Sequence, residues 1–257
     1  MVVAKRTRWW QATLAALGVL LATGAWADEV RVTSAEAVQR LVTELARAYE
    51  RETGNTVALT FGSASVVRQK MAAQPTDVVI LPDIAMNESA RQGGILAASR
   101  RDIARSGMGV AVREGAPRPD ISTVAAFRES LLAAKSIAYV DPAQGTTSGV
   151  HFASVLALLG VLEAMKPKSR LVAHGSPVEL VASGEVELAA HQISQILSVR
   201  GVTLVGPLPA PLQKVTTYSA GVTTKSHAPA LASTFIAFLG RPALRRKFAE
   251  AGLDYKD

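Results

Sequence analysis

Hydrophobic residues in the first half of the chain follow two alternating patterns. The segment beginning at Ser34 has the 3.6-residue spacing of a helix, with apolar positions Val38, Leu41, Val42, Leu45 and Tyr49. Gly54 follows, where a left-handed helix cap is expected. Short uninterrupted runs of aliphatic and β-branched residues, typical of buried strands, lie at 30–33, 56–61, 77–81 and 108–112. This alternation predicts a mostly parallel sheet flanked by helices.

The second half of the chain repeats this α/β alternation after a stretch rich in Gly and Pro at 115–119. Strands are predicted at 137–140, 171–173 and 186–190, with helices near 125–134, from 148 and from 176. A return strand at 217–222 and two helices end the chain. We therefore predict a first lobe at 28–115 that is completed by 216–257, a second lobe at 116–215, and two hinge crossings. Hinged lobes usually close on a ligand in the cleft between them.

The first 27 residues are typical of a secretory signal peptide. Three basic side chains precede an uncharged apolar run, which ends in Ala25-Trp26-Ala27. A membrane anchor is the alternative, but the apolar run is shorter than the ~20 residues that a span needs. We expect export to the periplasm and a mature protein that is not embedded in the membrane. Cleavage after Ala27 removes three basic and no acidic residues, which lowers the formal charge from +7 to +4.

Composition and motifs exclude several classes of function. The chain has no Cys, which excludes disulfides, thiolate metal sites and a cysteine nucleophile. We find no phosphate-binding loop, no nucleophile elbow and no His/Asp/Glu spacing typical of a metal site. The modest charge, without interleaved aromatic residues, argues against nucleic acid. We expect no cofactor and no metal, and a monomer, because the hinge must open and close freely.

The loops between strands and helices are rich in hydroxyl groups. In open α/β sheets, ligands lie beyond the carboxyl ends of the strands, where free N–H groups at helix starts favour anions. Hydroxyls are also the usual helix caps, so a single loop has an ordinary structural explanation. Four such loops, two in each predicted lobe, favour a cleft that surrounds a small anion with neutral donors. Their candidate ligand-binding residues are Ser34, Ser63, Ser65, Thr146, Thr147 and Ser148, with Gly175-Ser176 as the fourth loop.

Two cationic side chains follow these loops. Arg68 lies one turn into the helix that begins near Ser65, and His151 lies three residues after Ser148. An Arg can hold a carboxylate through paired donors, although Arg68 can equally be a solvated surface group. For His151 the functional interpretation is favoured, because the flanking Gly149 and Phe152 suggest a packed turn. His191 and Gln192 end a predicted strand, a position from which side chains can face a cleft. We expect His174 and His227 to be exposed.

The order of elements and four segments resemble the periplasmic molybdate-binding family of ABC-transporter solute-binding proteins, over essentially all of 28–257. The segments are Thr-Phe-Gly-Ser-Ala-Ser-Val-Val-Arg-Gln-Lys at 60–70, Asp-Val-Val-Ile-Leu-Pro at 77–82, Gly-Val-Ala-Val-Arg at 109–113 and Asp-Pro-Ala-Gln-Gly-Thr-Thr-Ser-Gly-Val-His at 141–151. The resemblance implies a two-lobed periplasmic-binding-protein fold of type II. It also implies capture of a small anion for delivery to an ABC permease.

Members of that family hold a tetrahedral oxyanion through Ser hydroxyls, backbone N–H groups and a Tyr. The resemblance places these contacts on Ser34, residues 63–65, Ser148 and the backbone of Val178, with Gln192 at the Tyr position. Glu36 lies at or beside a position that carries a hydroxyl in the family. A carboxylate there repels a dianion unless it is protonated or turned away.

The sequence also resembles periplasmic aconitate isomerases, which share this fold and interconvert trans- and cis-aconitate. That reaction shifts an allylic proton and needs a base, an acid and anchors for three carboxylates. Arg68 and His151 suit a polycarboxylate, and either Glu36 or His151 can serve as the base. Three functions therefore stay open: a transport receptor for a small anion, an isomerase on the same scaffold, and a sensory or scavenging binding protein.

Overall fold

A computed structural model describes residues 28–255 of the chain. Its strands are β1 (Glu29–Ala35), β2 (Thr56–Gly62), β3 (Val78–Pro82), β4 (Arg101–Ser106), β5 (Met108–Arg113), β6 (Ile137–Val140), β7 (Ser169–Val172), β8 (Leu188–Gln192), β9 (Val202–Pro207), β10 (Thr216–Val222) and β11 (Asp254–Tyr255). Its helices are α1 (Gln39–Thr53), α2 (Ala64–Ala73), α3 (Asp83–Arg91), α4 (Val124–Ala133), α5 (Thr147–Leu158), α6 (Leu162–Met165), α7 (Pro177–Ser183), α8 (Ile193–Ile196), α9 (Pro229–Leu239) and α10 (Arg245–Glu250).

The first sheet has the strand order β11-β4-β10-β3-β1-β2. Strands β1, β2 and β3 are parallel, which confirms the α/β prediction for this half of the chain. The return strand β10 runs antiparallel between β3 and β4, so the sheet is mixed. Helix α1 buries the predicted apolar face, and Gly54 ends it in the left-handed conformation (φ 76°).

The second sheet has the order β7-β6-β8-β5-β9 and is also mixed. Strand β6 is parallel to β7 and β8, whereas β5 is antiparallel to both β8 and β9. Strand β5 thus belongs to the second sheet, although the predicted first lobe extended to residue 115. The chain changes sheets at Gly107, between β4 and β5, eight residues before the Gly/Pro stretch that we expected to mark the crossing.

Each sheet has its own hydrophobic core. In the first, Tyr49 of α1 packs edge-on against Phe235 and Phe238 of α9, with ring centroids 5.2 and 5.3 Å apart. In the second, Phe152 of α5 packs against Tyr139 of β6 at 5.0 Å. These separate cores make each lobe a packed unit in its own right.

The two chain crossings lie side by side and are joined by two amides. The side chain of Gln213 accepts from Met108 N (2.7 Å) and donates to Met108 O (2.8 Å), like a backbone pairing. The amide of Gln192 lies 3.2 Å from the Thr216 hydroxyl, and in the orientation that satisfies both ends its nitrogen donates to Ser106 Oγ at 3.2 Å. Hydrogen bonds through these two side chains therefore join the two crossings into one connecting segment between the lobes.

No helix within 28–255 has the length and hydrophobicity needed to cross a bilayer. The predicted signal peptide, 1–27, lies outside the described residues.

Candidate functional site

A cavity of about 320 Å³ lies between the lobes, at the carboxyl ends of the strands. Its walls combine loops of both sheets, as the switch-point rule predicts. A larger groove of about 680 Å³ lies next to it, along α1, and is lined by charged residues such as Arg40, Glu44 and Arg47. Because the hydroxyl loops at the starts of α2 and α5 line only the smaller cavity, we take that cavity as the candidate site.

The start of α2 forms one wall of the cavity. Ser63 caps the helix by accepting from Val66 N, and its hydroxyl lies 2.9 Å from that of Ser65. The N–H groups of Ala64 and Ser65 are in the first turn, where a helix has no acceptor for them. Together they give this wall hydroxyl and N–H donors at the positive end of a helix.

The start of α5 forms the facing wall, on the other lobe. Thr146 caps this helix by accepting from Gly149 N at 3.2 Å, and Thr147 and the buried Ser148 line the cavity beside it. Gly149 lies against strand β6, where an added Cβ would be 2.5 Å from the carbonyl oxygen of Val140. The glycine therefore sets how closely this donor loop approaches the sheet.

Replacing Gly149 by Ala is expected to destabilise the protein by roughly 1–3 kcal/mol, since the clash is with backbone rather than with a flexible side chain. The loop at 146–148 must shift, so ligand affinity should fall as well. Urea unfolding and calorimetric titration measure the two effects. Gly240→Ala is the control, because Gly240 also has a negative φ and the atoms nearest to its added Cβ lie 3.8 and 3.9 Å away, so its stability should change little. Equal stability of Gly149→Ala and the natural protein would contradict this role.

Glu36 is the one carboxylate among the described residues that line the cavity, and no Lys or Arg accompanies it there. It opens the short 3-10 turn after β1 and is exposed. It forms no ion pair with another described residue. A carboxylate without an ion-pair partner repels an anion that the surrounding hydrogen-bond donors would otherwise bind. It therefore disfavours simple anion capture, and it provides a base.

His191 and Tyr218 line the cavity from different sheets. His191 is 4% exposed, and burial lowers its pKa to about 4, so the imidazole is neutral at physiological pH. Its Nδ1 is enclosed and has no hydrogen-bond partner among the described residues. Tyr218 is 2% exposed, and burial, with the negative charge of Asp83, raises the pKa of its phenol.

The structure brings together only part of the predicted site. Of the predicted residues, Glu36, Ser63, Ser65, Thr146, Thr147, Ser148 and Gln192 line the cavity. The side-chain amide of Gln192 is hydrogen-bonded to the two crossings, at Thr216 and Ser106, and so has a role in joining the lobes.

Four predicted residues are not among those that line this cavity, and each has a partner elsewhere. Ser34 is fully buried and its hydroxyl donates to Ala35 O at 3.3 Å. Arg68 pairs with Glu88 at 2.5 Å instead of offering its guanidinium to the cleft. The ring of His151 lies 2.9 Å from Leu212 O, and Val178 N donates to Ser176 Oγ at 3.2 Å.

Two titratable lining residues escaped the sequence analysis. His174, expected to be merely exposed, is exposed but also borders the cavity. Tyr218 lies in a strand that we recognised, yet nothing in the sequence indicated which way its side chain faces. Within 28–255 there is no cluster of three or more His, Asp or Glu side chains that could hold a metal ion.

The comparisons agree with the fold. Residues 30–254 match the family model described as bacterial extracellular solute-binding protein. The chain belongs to this family. A curated relative, the aconitate isomerase of a Pseudomonas species, is 31% identical over 231 residues, covering 86% of each protein.

Solved structures of the family share the architecture. The periplasmic molybdate-binding protein of Azotobacter vinelandii is 20% identical, with a TM-score of 0.74 over 89% of this chain and all of that one. The substrate-binding domain of a molybdenum ABC transporter from Clostridium difficile is 16% identical, with a TM-score of 0.72 over 90% and 100%. At such identities the likeness establishes the two-lobed solute-binding fold.

Proposed function

We propose that this extracellular solute-binding protein is an isomerase that interconverts trans- and cis-aconitate in the cavity between its lobes. The observation that carries the proposal is the carboxylate of Glu36 in a cavity whose described lining includes hydroxyl and N–H donors but no other carboxylate, Lys or Arg. The similarity to an aconitate isomerase over 86% of each protein supports the choice of substrate. Export to the periplasm, predicted from the first 27 residues, belongs to the same proposal.

The size and lining of the cavity suit an organic polycarboxylate. A volume of about 320 Å³ is at the lower end of the roughly 300–1,000 Å³ typical of sites for small organic molecules. Separate donor groups line it at 63–65, at 146–148 and around Gly175. These donor groups can hold carboxylates through neutral N–H and O–H groups, without the Arg clamp that we expected from Arg68.

Glu36 would act as the base. Its carboxylate takes a proton from the methylene carbon of aconitate, and the electron pair of that C–H bond spreads over the three-carbon unit and the adjoining carboxylate. The N–H groups at the helix starts stabilise the charge that develops there. The proton then returns to the former vinylic carbon, so one C–H bond has broken, another has formed and the double bond has moved by one position. His151, the other candidate base, is engaged by Leu212.

The test is to incubate the purified protein with trans-aconitate and follow cis-aconitate by chromatography. We expect both isomers to reach the same equilibrium ratio from either direction, without added metal or cofactor. A protein that binds trans-aconitate without converting it would contradict the isomerase proposal.

Capture of a small anion for an ABC permease is the second candidate. It is favoured by the neutral hydroxyl and N–H lining of the two facing walls, which needs no chemical step to be useful. A thermal shift with molybdate or tungstate, but not with trans-aconitate, would support it. A ligand present at 100 times its Kd adds about 2.7 kcal/mol to the stability.

A further inference from the structure

His191 has an arrangement that the proposed proton transfer does not use. It lies near the end of β8, opposite Gly109 in the antiparallel pair with β5, and it is one of the residues that line the cavity although only 4% of it is exposed. The ring makes no hydrogen bond to another described residue, and Nδ1 is enclosed. Buried nitrogen atoms without partners are rare in folded proteins and cost stability. The other ring nitrogen, Nε2, is not enclosed and has no partner among the described residues either, so it is the nitrogen that a ligand in the cavity can reach. A histidine held in this way in the wall of a ligand cavity points to a partner that arrives with the ligand.

Tyr218, on the other sheet, is likewise a buried residue that lines the cavity without a hydrogen-bond partner for its side chain among the described residues. It lies in β10, opposite Pro82 of β3, and its side chain is almost fully buried where it lines the same cavity. Its hydroxyl makes no hydrogen bond to another described residue. The burial and the negative charge of Asp83 both keep the phenol protonated, so the O–H remains a donor.

We propose that His191 and Tyr218 form a pair of ligand contacts, one from each sheet, that hold one carboxylate of the bound polycarboxylate by neutral N–H and O–H donors. The inference rests on the proposed function and deepens it, because it assigns one carboxylate to residues outside the helix-start loops. The two side chains belong to different lobes, so a carboxylate that bridges them also holds the lobes together. Neutral donors can be buried without the large desolvation cost of Lys or Arg.

The test measures the Kd of tricarballylate, the saturated analogue of aconitate, which binds without reacting. Tyr218→Phe removes only the hydroxyl, and His191→Asn removes the ring. We expect each variant to bind roughly 10- to 100-fold more weakly in calorimetric titrations, the range for a lost hydrogen bond to a charged group. Circular dichroism checks folding, and Tyr218→Phe keeps the test valid if His191→Asn does not fold.

Two matched controls lie outside the cavity. Tyr139→Phe removes a hydroxyl from another buried Tyr, which packs against Phe152, and His227→Gln removes an exposed ring. Both should bind tricarballylate within about twofold of the natural protein. If tricarballylate binds the natural protein and both cavity variants equally well, the inference is wrong and the proposed function stands. If the natural protein binds neither tricarballylate nor trans-aconitate, the proposed function fails and this inference fails with it.

Discussion

Glu36→Gln is expected to lower kcat for aconitate isomerisation by about 10²- to 10⁴-fold, the usual contribution of a positioned general base. The amide keeps the shape of the side chain but cannot accept the proton from the methylene carbon. It also removes the one negative charge that we find in the cavity lining among the described residues. Binding of the trianion should therefore be unchanged or tighter, so the loss should fall on kcat and not on KM.

The control for this substitution is Glu163→Gln. Glu163 is an exposed residue at the start of α6 that pairs with Lys166 on the surface. The Glu163→Gln variant should retain full activity, because an exposed ion pair of this kind contributes little to stability and lies outside the cavity. Isomerase activity that persists unchanged in Glu36→Gln would contradict the assignment of the base. The two histidines that line the cavity, His174 and His191, would then be the candidate bases.

The hydroxyl loops could be predicted because their signals are local. Ser63 and Thr146 are helix caps, and a cap is recognised from the residues that immediately follow it. The ends of strands are equally local features, and in an α/β sheet they lie at the ligand edge. Local signals and the expected topology are therefore enough to predict both facing walls of the cavity.

The partners of the charged residues could not be predicted in the same way. Arg68 meets Glu88, 20 residues further along, and His151 meets Leu212, 61 residues further along. Only the packing of α2 against its neighbours and of α5 against the segment before β10 decides these contacts. Helical spacing placed both side chains near a helix start, but it did not say which side of the helix faces the cleft.

Sheet membership was the other non-local property. Strand β5 has a hydrophobic run that suits either sheet, and its pairing with β8 and β9 joins it to segments that follow much later in the chain. Strand β4 escaped prediction because Arg101, Asp102 and Arg105 leave only a short apolar stretch. The crossing at Gly107 was therefore hidden between an unrecognised strand and an ambiguous one.

The burial of His191 should make the stability of the protein depend on pH. Its pKa is about 4 in the folded protein, against 6.5 for an ordinary histidine. Between these values the unfolded chain holds more protons than the folded one, so the free energy of unfolding rises with pH across this window. The contribution is fully present above about pH 6.5 and is lost as the pH falls towards 4. Its size is up to about 3 kcal/mol, at 1.36 kcal/mol for each unit of pKa difference.

Urea unfolding between pH 4.5 and 7.5 measures this slope, and His191→Asn should flatten it even where the variant is less stable overall.

The carboxylate of Asp77 does not interfere. Burial acts to raise its pKa, but the hydrogen bonds from Arg31 N, Ser226 and the following backbone outweigh this and lower it. Its contribution is therefore lost as the pH falls from the ordinary carboxyl value of 3.8 towards the lower pKa of the folded protein, which is below the range of the urea measurements. His227→Gln, which alters an exposed ring, should keep the natural slope. If the slope of His191→Asn equals that of the natural protein, His191 is not the group that titrates, and its imidazole is not held neutral by the wall of the cavity.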